Sequence, residues 1–201
     1  MTIPEKIAVL VLGCLIAGTT WALSPGQPVS PKQFFPSRIL PVYAPDSEGW
    51  IVTGVASNGL SFGKRGAEST ETYGAQAFVF EMPPTPDSGS FVDFVKKRIA
   101  SMNPPPRFVE TASDYQYDED RTYPCVNVHI TFDDTAALTP TGRQALKLQV
   151  TSRYCRHPVQ KNLGFGVAYS HRGKTTDESM EGAARRFIEA ISAPQLGSNS
   201  P

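Results

Sequence analysis

Two of the three cysteines are the residues whose type and spacing most clearly suggest a chemical role, and both lie well inside the chain. Cys125 begins a run of alternating apolar residues and Cys155 ends another. No CxxC spacing accompanies them, and the third cysteine, Cys14, lies in an N-terminal leader. Because redox and metal sites need further ligands or a paired thiol nearby, this pattern favours a structural bond. We therefore predict a disulfide between Cys125 and Cys155.

The three histidines are the next candidates, since imidazoles that share a sheet face can hold a metal ion. His129 lies on the cysteine face of its strand, His171 falls on a later strand, and His157 begins a turn with Pro158. Sheet spacing separates His129 from His171 by about 10 Å or more, which is too far for one metal. We interpret them as three unrelated histidines on a polar rim.

Three short motifs suggest catalysis or ligand binding but lack the geometry for it. Ser170 and His171 are neighbours on a strand, so their side chains point to opposite faces. The stretch 63–66 has neither the glycine spacing nor the Ser or Thr of a phosphate loop. The stretch 114–120 lacks the central Gly and closing Glu of a calcium loop. The sequence therefore predicts no catalytic residue, no metal and no cofactor.

A mildly basic strip shares the face of the two cysteines and includes Lys147. Such a strip could contact an acidic partner or lipid headgroups, and a solvated sheet face explains it equally well. The candidate ligand or partner face consists of Asn127, His129, Arg153, Arg156 and His171.

The two cysteine-bearing runs are typical of neighbouring strands, because apolar residues recur at every second position. If Cys125 faces Cys155 in an antiparallel pair, then Val126 faces Tyr154, and Phe132 faces Leu148. One register satisfies the sulfurs and the apolar face together, whereas a slip of one residue would turn one apolar set to the wrong face. The runs therefore predict an antiparallel pair in that register.

The remaining pattern predicts an α+β fold. The dipeptide Asn58-Gly59 favours a tight hairpin turn that places Val55 opposite Phe62. Further strands are expected over 50–55, 60–63, 73–81, 108–117 and 163–171. Together they predict an antiparallel β-sheet of about six to seven strands packed against two helices, with one disulfide.

Helical periodicity marks the two helices. The first begins with Ser90 as its N-cap, and the second is capped by Thr176 or Asp177. The apolar stripe of the second helix includes Phe187, which we expect to pack against the small residues on one face of strand 163–171.

The N-terminus has the layout of a secretory signal, with an apolar run over residues 7–18 behind a short head that carries Lys6. Residues 1–22 are predicted as a signal peptide cleaved before Leu23. The stretch 11–14 resembles a bacterial lipobox, so lipidation at Cys14 is the alternative. Residues 23–48 are predicted as an extended Pro-rich linker, 49–193 as a single α+β domain and 194–201 as a disordered tail.

Composition restricts the range of partners. Lys+Arg and Asp+Glu are both 19, and this balance argues against nucleic acid or an anionic membrane surface as the main partner. Contact with a membrane is expected only through a lipid anchor at Cys14. An envelope protein or a small ligand remains as the expected partner.

At the level of element order, the region 50–191 resembles the PsbP-like superfold, whose members act mostly as adaptors and not as enzymes. The stretches 123–125, 155–158 and 169–173 resemble those of an uncharacterised family of bacterial exported proteins. Together with the predicted leader and the structural interpretation of each motif, these resemblances lead us to expect an exported protein of the Gram-negative periplasm, or one lipid-anchored to the envelope, that acts as a non-catalytic binding or interaction module. An envelope hydrolase or metal-dependent enzyme with a site outside known motifs is the alternative.

Overall fold

The structure is a computed structural model that describes residues 23–37, 39–119 and 123–193. The predicted signal peptide with Cys14 and the predicted tail lie outside the described residues. The strands are β1 (Phe34–Phe35), β2 (Val42–Tyr43), β3 (Ile51–Ala56), β4 (Gly59–Arg65), β5 (Thr72–Glu81), β6 (Phe108–Asp118), β7 (Cys125–Thr139), β8 (Gly142–Arg156) and β9 (Leu163–Gly173), and the helices are α1 (Ser88–Met102) and α2 (Met180–Ala190).

Seven strands form one antiparallel sheet in the order β3-β4-β5-β9-β8-β7-β6. It takes three strands from before α1 and four from after it. Strands β1 and β2 form a separate two-stranded sheet that the sequence did not predict. The prediction of an antiparallel sheet with two helices and one cysteine pair is confirmed. Within the described part of the chain, neither helix has the length and apolar character that a membrane crossing requires.

The predicted register of the two cysteine-bearing strands is confirmed. Cys125 lies opposite Cys155, and Phe132 lies opposite Leu148. The two sulfurs are 2.09 Å apart, at disulfide distance, and both cysteines are buried. The bond therefore locks β7 to β8 in the register that places even-numbered residues of both strands on one face and odd-numbered residues on the other.

Helix α1 covers the even-numbered face. Its N-cap is Asp87, not the predicted Ser90, which instead completes a capping box as the N3 residue. The carboxylate of Asp87 accepts a hydrogen bond from the Ser90 amide at 2.7 Å. Phe91, Val95 and Ile99 are buried against this face of the sheet.

Helix α2 covers the odd-numbered face, which corrects the prediction that Phe187 packs on the small residues of β9. Phe187 contacts Tyr169, whose ring in turn contacts Trp50. On the opposite face, a Cβ at Gly164 would lie 2.5 Å from the Phe80 ring. A Cβ at the next such glycine, position 166, would lie equally close to the ring of Phe78. The small residues of β9 thus make room for aromatic rings of the neighbouring strand and not for a helix.

The region predicted as a linker, residues 23–48, lies on the same odd-numbered face as α2 and is called the N-terminal segment below. Four apolar residues of the segment itself are buried in the core between it and the sheet: Val29, Phe35, Leu40 and Val42. Two hydrogen bonds also join it to edge strand β3, from the amide of Gly26 to the Val52 carbonyl and from the Val52 amide to the Gln27 carbonyl. The N-terminal segment therefore forms part of the cover of the sheet.

The β3–β4 turn differs from the predicted one. Val55 lies opposite Leu60, not Phe62, because Ser57 and Asn58 form the turn. The Asn58 side chain donates a hydrogen bond to the Val79 carbonyl at 3.1 Å, which fixes the turn against β5.

Candidate functional site

Three of the five residues predicted as a ligand or partner face lie side by side on the odd-numbered face of β7 and β8. Arg153 Nε donates to Asn127 Oδ1 at 2.7 Å, and His129 Nδ1 lies 3.3 Å from the Thr151 hydroxyl. His129 is exposed, whereas Asn127 and Arg153 are half-buried. This part of the face is polar, and among the three only His129 is exposed.

Arg156 does not belong to this face, which corrects the prediction. It is an even-numbered residue of β8 and therefore points to the α1 side. Its guanidinium lies 5.2 Å from the centre of the Phe91 ring and donates a hydrogen bond to the Thr85 carbonyl. Arg156 thus fixes the start of α1.

Two of the histidines predicted for a polar rim are buried, which corrects that interpretation. His157 Nδ1 accepts hydrogen bonds from the amides of Val159 and Gln160, at 3.2 and 3.1 Å. The proton therefore sits on Nε2, which donates to the Ile39 carbonyl at 3.2 Å. His157 holds the N-terminal segment onto the sheet.

His171 lies on the predicted face but belongs to a partly buried polar network. Its Nε2 is 2.9 Å from Glu71 Oε1, and the Tyr73 hydroxyl donates to Asp177 Oδ2 at 2.9 Å. The Asp177 amide donates to the side chain of Gln149 at 3.1 Å. This His171 network connects β5, β8 and β9 to the start of α2. Contrary to the prediction, Asp177 is not the N-cap of α2, because the N-cap is Ser179.

The ionisation of the His171 network follows from its hydrogen bonds. The hydrogen bond with His171 holds the pKa of Glu71 below its usual range, against a smaller opposing effect of burial. Burial opposes ionisation of Asp177, but hydrogen bonds from Ser179 and Tyr73 outweigh it and lower the pKa of Asp177. Both carboxylates are therefore ionised at neutral pH, and the network has the properties of an anchor for α2.

An opening with mostly apolar walls lies elsewhere, between the N-terminal segment and strands β3, β4 and β5. This cavity, called the apolar pocket below, has a volume of about 430 Å³. Half-buried Leu23, Val79 and Leu163 and exposed Val55 present apolar surface to it. Its remaining apolar walls come from Phe35, Ile39, Leu40, Val42, Leu60, Ala77 and Phe80.

The roof of the apolar pocket is held by specific contacts. The ring of Phe35 packs on that of Phe62 at 5.6 Å, and the hydrogen bond from His157 fixes the carbonyl of Ile39. The Ser37 hydroxyl accepts hydrogen bonds from the amides of Ile39 and Leu40, each at 3.2 Å. These contacts hold the N-terminal segment in place over the cavity.

The volume and the lining of the apolar pocket fall within the range of small-molecule binding sites. Small-molecule sites are concave, mostly apolar and about 300–1,000 Å³ in volume, with a few polar groups that fix orientation. Here the polar lining side chains are those of Ser37, Ser57, Asn58 and Glu81. Sequence reasoning missed this site; the isolated apolar pairs 34–35 and 39–40, in a stretch rich in Pro and Ser, were the available signal.

Comparison with known proteins gives no family for this chain. No family model matches it, and no curated protein matches it. Within the described residues, no group of three or more His, Cys, Asp and Glu side chains is arranged to hold a metal ion. The functional argument therefore rests on the geometry of the apolar pocket.

Proposed function

We propose that the protein is an exported, non-catalytic binding module of the cell envelope that holds an apolar ligand, such as an acyl chain, in the apolar pocket. The observation that supports this function is the 430 Å³ cavity with predominantly aliphatic walls beneath the N-terminal segment. Filling it would remove the apolar surface of Val55, Val79 and Leu163 from water, at about 25 cal/mol per Å².

The leader predicted for residues 1–22 and the buried cysteine pair support export. A disulfide persists in oxidising compartments such as the periplasm of a Gram-negative bacterium. Cleavage before Leu23 would release the protein into the periplasm, whereas lipidation at Cys14 would attach the same module to the membrane. A Cys14→Ser variant distinguishes the two, since it releases the protein from the membrane fraction only if Cys14 carries a lipid.

Titration with a fluorescent fatty acid tests the ligand class, and two valines form a matched pair of variants. Val55 and Val109 lie on opposite edge strands and are 47% and 48% exposed, but only Val55 lines the apolar pocket. Val55→Trp should fill the pocket and weaken binding of the fatty acid at least about tenfold, a loss of about 1.4 kcal/mol. Val109→Trp should leave affinity unchanged. Equal affinity of the two variants would refute the proposed site.

A further inference from the structure

A second opening lies on the even-numbered face of the sheet, beside α1. It is a groove of about 440 Å³, called the Arg172 groove below, with Met102 at the end of α1 as part of one wall. Residues of β7 and β8, among them Ile130, Leu148 and Val150, make one part of its floor apolar. Because the strands pair in register, the other part consists of adjacent short or polar residues. These are Ser61, Gln76, Ala168 and Ser152 in one row, and Gly74 and Ser170 in the next.

The next row of the groove floor contains Arg172. This arginine belongs to a cluster that has two positive charges and one negative charge. Asp134 is fully buried and accepts two hydrogen bonds from Arg107, at 2.9 and 3.1 Å. Arg172 Nε lies 3.2 Å from Asp134 Oδ2, but at an angle outside hydrogen-bond geometry. One carboxylate is therefore shared by two guanidinium groups, and the cluster carries a net charge of +1.

The net charge of +1 requires that Asp134 be ionised. Its burial opposes ionisation, but the hydrogen bonds from Arg107 and the charge of Arg172 outweigh that effect and hold the pKa of Asp134 below its usual range. Since Arg107 takes both carboxylate oxygens, the N–H groups of Arg172 keep their capacity to bind an anion.

A second, independent observation is the hydroxyl of Ser152, which also lines the groove. Ser152 is 3% exposed, and its Oγ makes no hydrogen bond of standard geometry among the described residues, although the Tyr154 hydroxyl interacts with it. A ligand hydroxyl that supplies a better-aligned partner would therefore gain affinity there.

We propose that the Arg172 groove binds a small polyhydroxylated carboxylate of the sugar-acid class. The planar guanidinium of Arg172 matches a carboxylate, and Gln76, Ser152 and Ser170 match sugar hydroxyl groups. Met102 supplies an apolar wall for the C–H face of the ring. Among the described residues that line the groove, Arg172 alone is charged, so an amino acid would find no partner for its ammonium group.

The direct test is an NMR titration of the isotope-labelled protein with D-glucuronate and, as a matched neutral probe, D-glucose. We expect glucuronate to shift the backbone amide signals of Gln76, Ala168 and Ser170 at concentrations at which glucose has no effect. Equal responses to the two sugars, or shifts by glucuronate that leave these three amides unchanged, would overturn the proposal.

Variants then separate binding from folding. Arg172→Gln should weaken glucuronate binding at least about tenfold, because a charge-assisted pair is lost. Because Arg172 also pairs with Asp134, a second variant, Ser170→Leu, fills the groove without touching the charge cluster and should weaken binding to a similar degree. Ser113→Leu, on the exposed strand β6, is its matched control. Parental affinity in Ser170→Leu would contradict the proposed site.

Discussion

Helix α1 covers the even-numbered face of the sheet by itself, whereas α2 and the N-terminal segment cover the odd-numbered face together. The start of α1 has a local capping box of Asp87 and Ser90 in addition to the tertiary contact from Arg156. The N-cap residue of α2 makes no side-chain capping bond, and the chain just before this helix is held to distant strands through the His171 network. The comparison shows that the start of α1 combines a local cap with a tertiary contact, whereas the start of α2 depends mainly on tertiary contacts.

The largest expected effect comes from truncating the central phenylalanine of either cover. Phe91→Ala and Phe187→Ala each remove a buried ring and should each cost about 3–5 kcal/mol of unfolding free energy. Urea unfolding under oxidising conditions measures this cost.

The two phenylalanine variants should nevertheless differ in hydrogen exchange. Phe187→Ala should accelerate exchange in the N-terminal segment, which shares its core, whereas Phe91→Ala should not. Identical exchange patterns in the two variants would mean that the two covers are not independent. Arg185→Ala, exposed on α2, serves as the control and should change stability by less than about 0.5 kcal/mol.

Removal of the cysteine pair should have the next largest effect. Cys125 and Cys155 are separated by 30 residues, and opening a ring of this size should cost about 3.5 kcal/mol in the chain-entropy model. Because β7 and β8 contribute to both faces, we expect the double Ala variant to lower the protection of both covers. The cover formed jointly by α2 and the N-terminal segment is called the composite cover. Loss of protection under α2 alone would show that the disulfide stabilises only this composite cover.

Acid should weaken the composite cover through the His171 network. The pKa values of Glu71 and Asp177 are lowered in the folded protein. Their contribution is therefore present above the unfolded pKa, about 4, and is lost as pH falls through the folded values. We expect urea midpoints to fall below about pH 4 and Glu71→Gln to reduce that dependence, with exposed Glu189→Gln as the control. An unchanged pH profile in Glu71→Gln would exclude this carboxylate as the source.

The smallest expected effect concerns the ion pair that joins the two parts of the composite cover. Arg186 Nε lies 2.6 Å from Asp46 Oδ2, and the arginine side chain is 59% exposed. Such surface pairs are worth about 0–1 kcal/mol, because water and salt screen them. A double-mutant cycle with Asp46→Asn and Arg186→Gln should give a coupling energy below about 1 kcal/mol. A larger coupling would show that polar contacts contribute substantially to this cover.

The parts of the fold that could be predicted from sequence are those with two agreeing local signals. The β7–β8 register followed from the cysteine spacing together with the apolar alternation, and the α1 stripe followed from its 3.6-residue period. The face chosen by α2 could not be predicted in this way. It depends on Phe78 and Phe80 filling the space over two glycines of β9, from a strand about 85 residues earlier in the chain.

The candidate sites were harder to predict for the same reason. Leu40 and Leu163 line the same pocket although they are far apart in sequence. Arg172 and Asp134 meet only because β9 and β7 flank β8. The polar strip of Asn127 and Arg153 was predictable because adjacent strands place these residues opposite one another.

The contact between Trp50 and Tyr169 also restricts the order in which the chain can fold. A ribosome or a translocation pore releases the N-terminal segment first, but the strand and helix on which it packs leave last. Phe35 can pack early on Phe62 of β4, but until β9 has emerged Trp50 lacks the ring of Tyr169 and remains accessible to chaperones and proteases. The core on the odd-numbered face of the sheet can therefore pack completely only after nearly the whole chain has emerged.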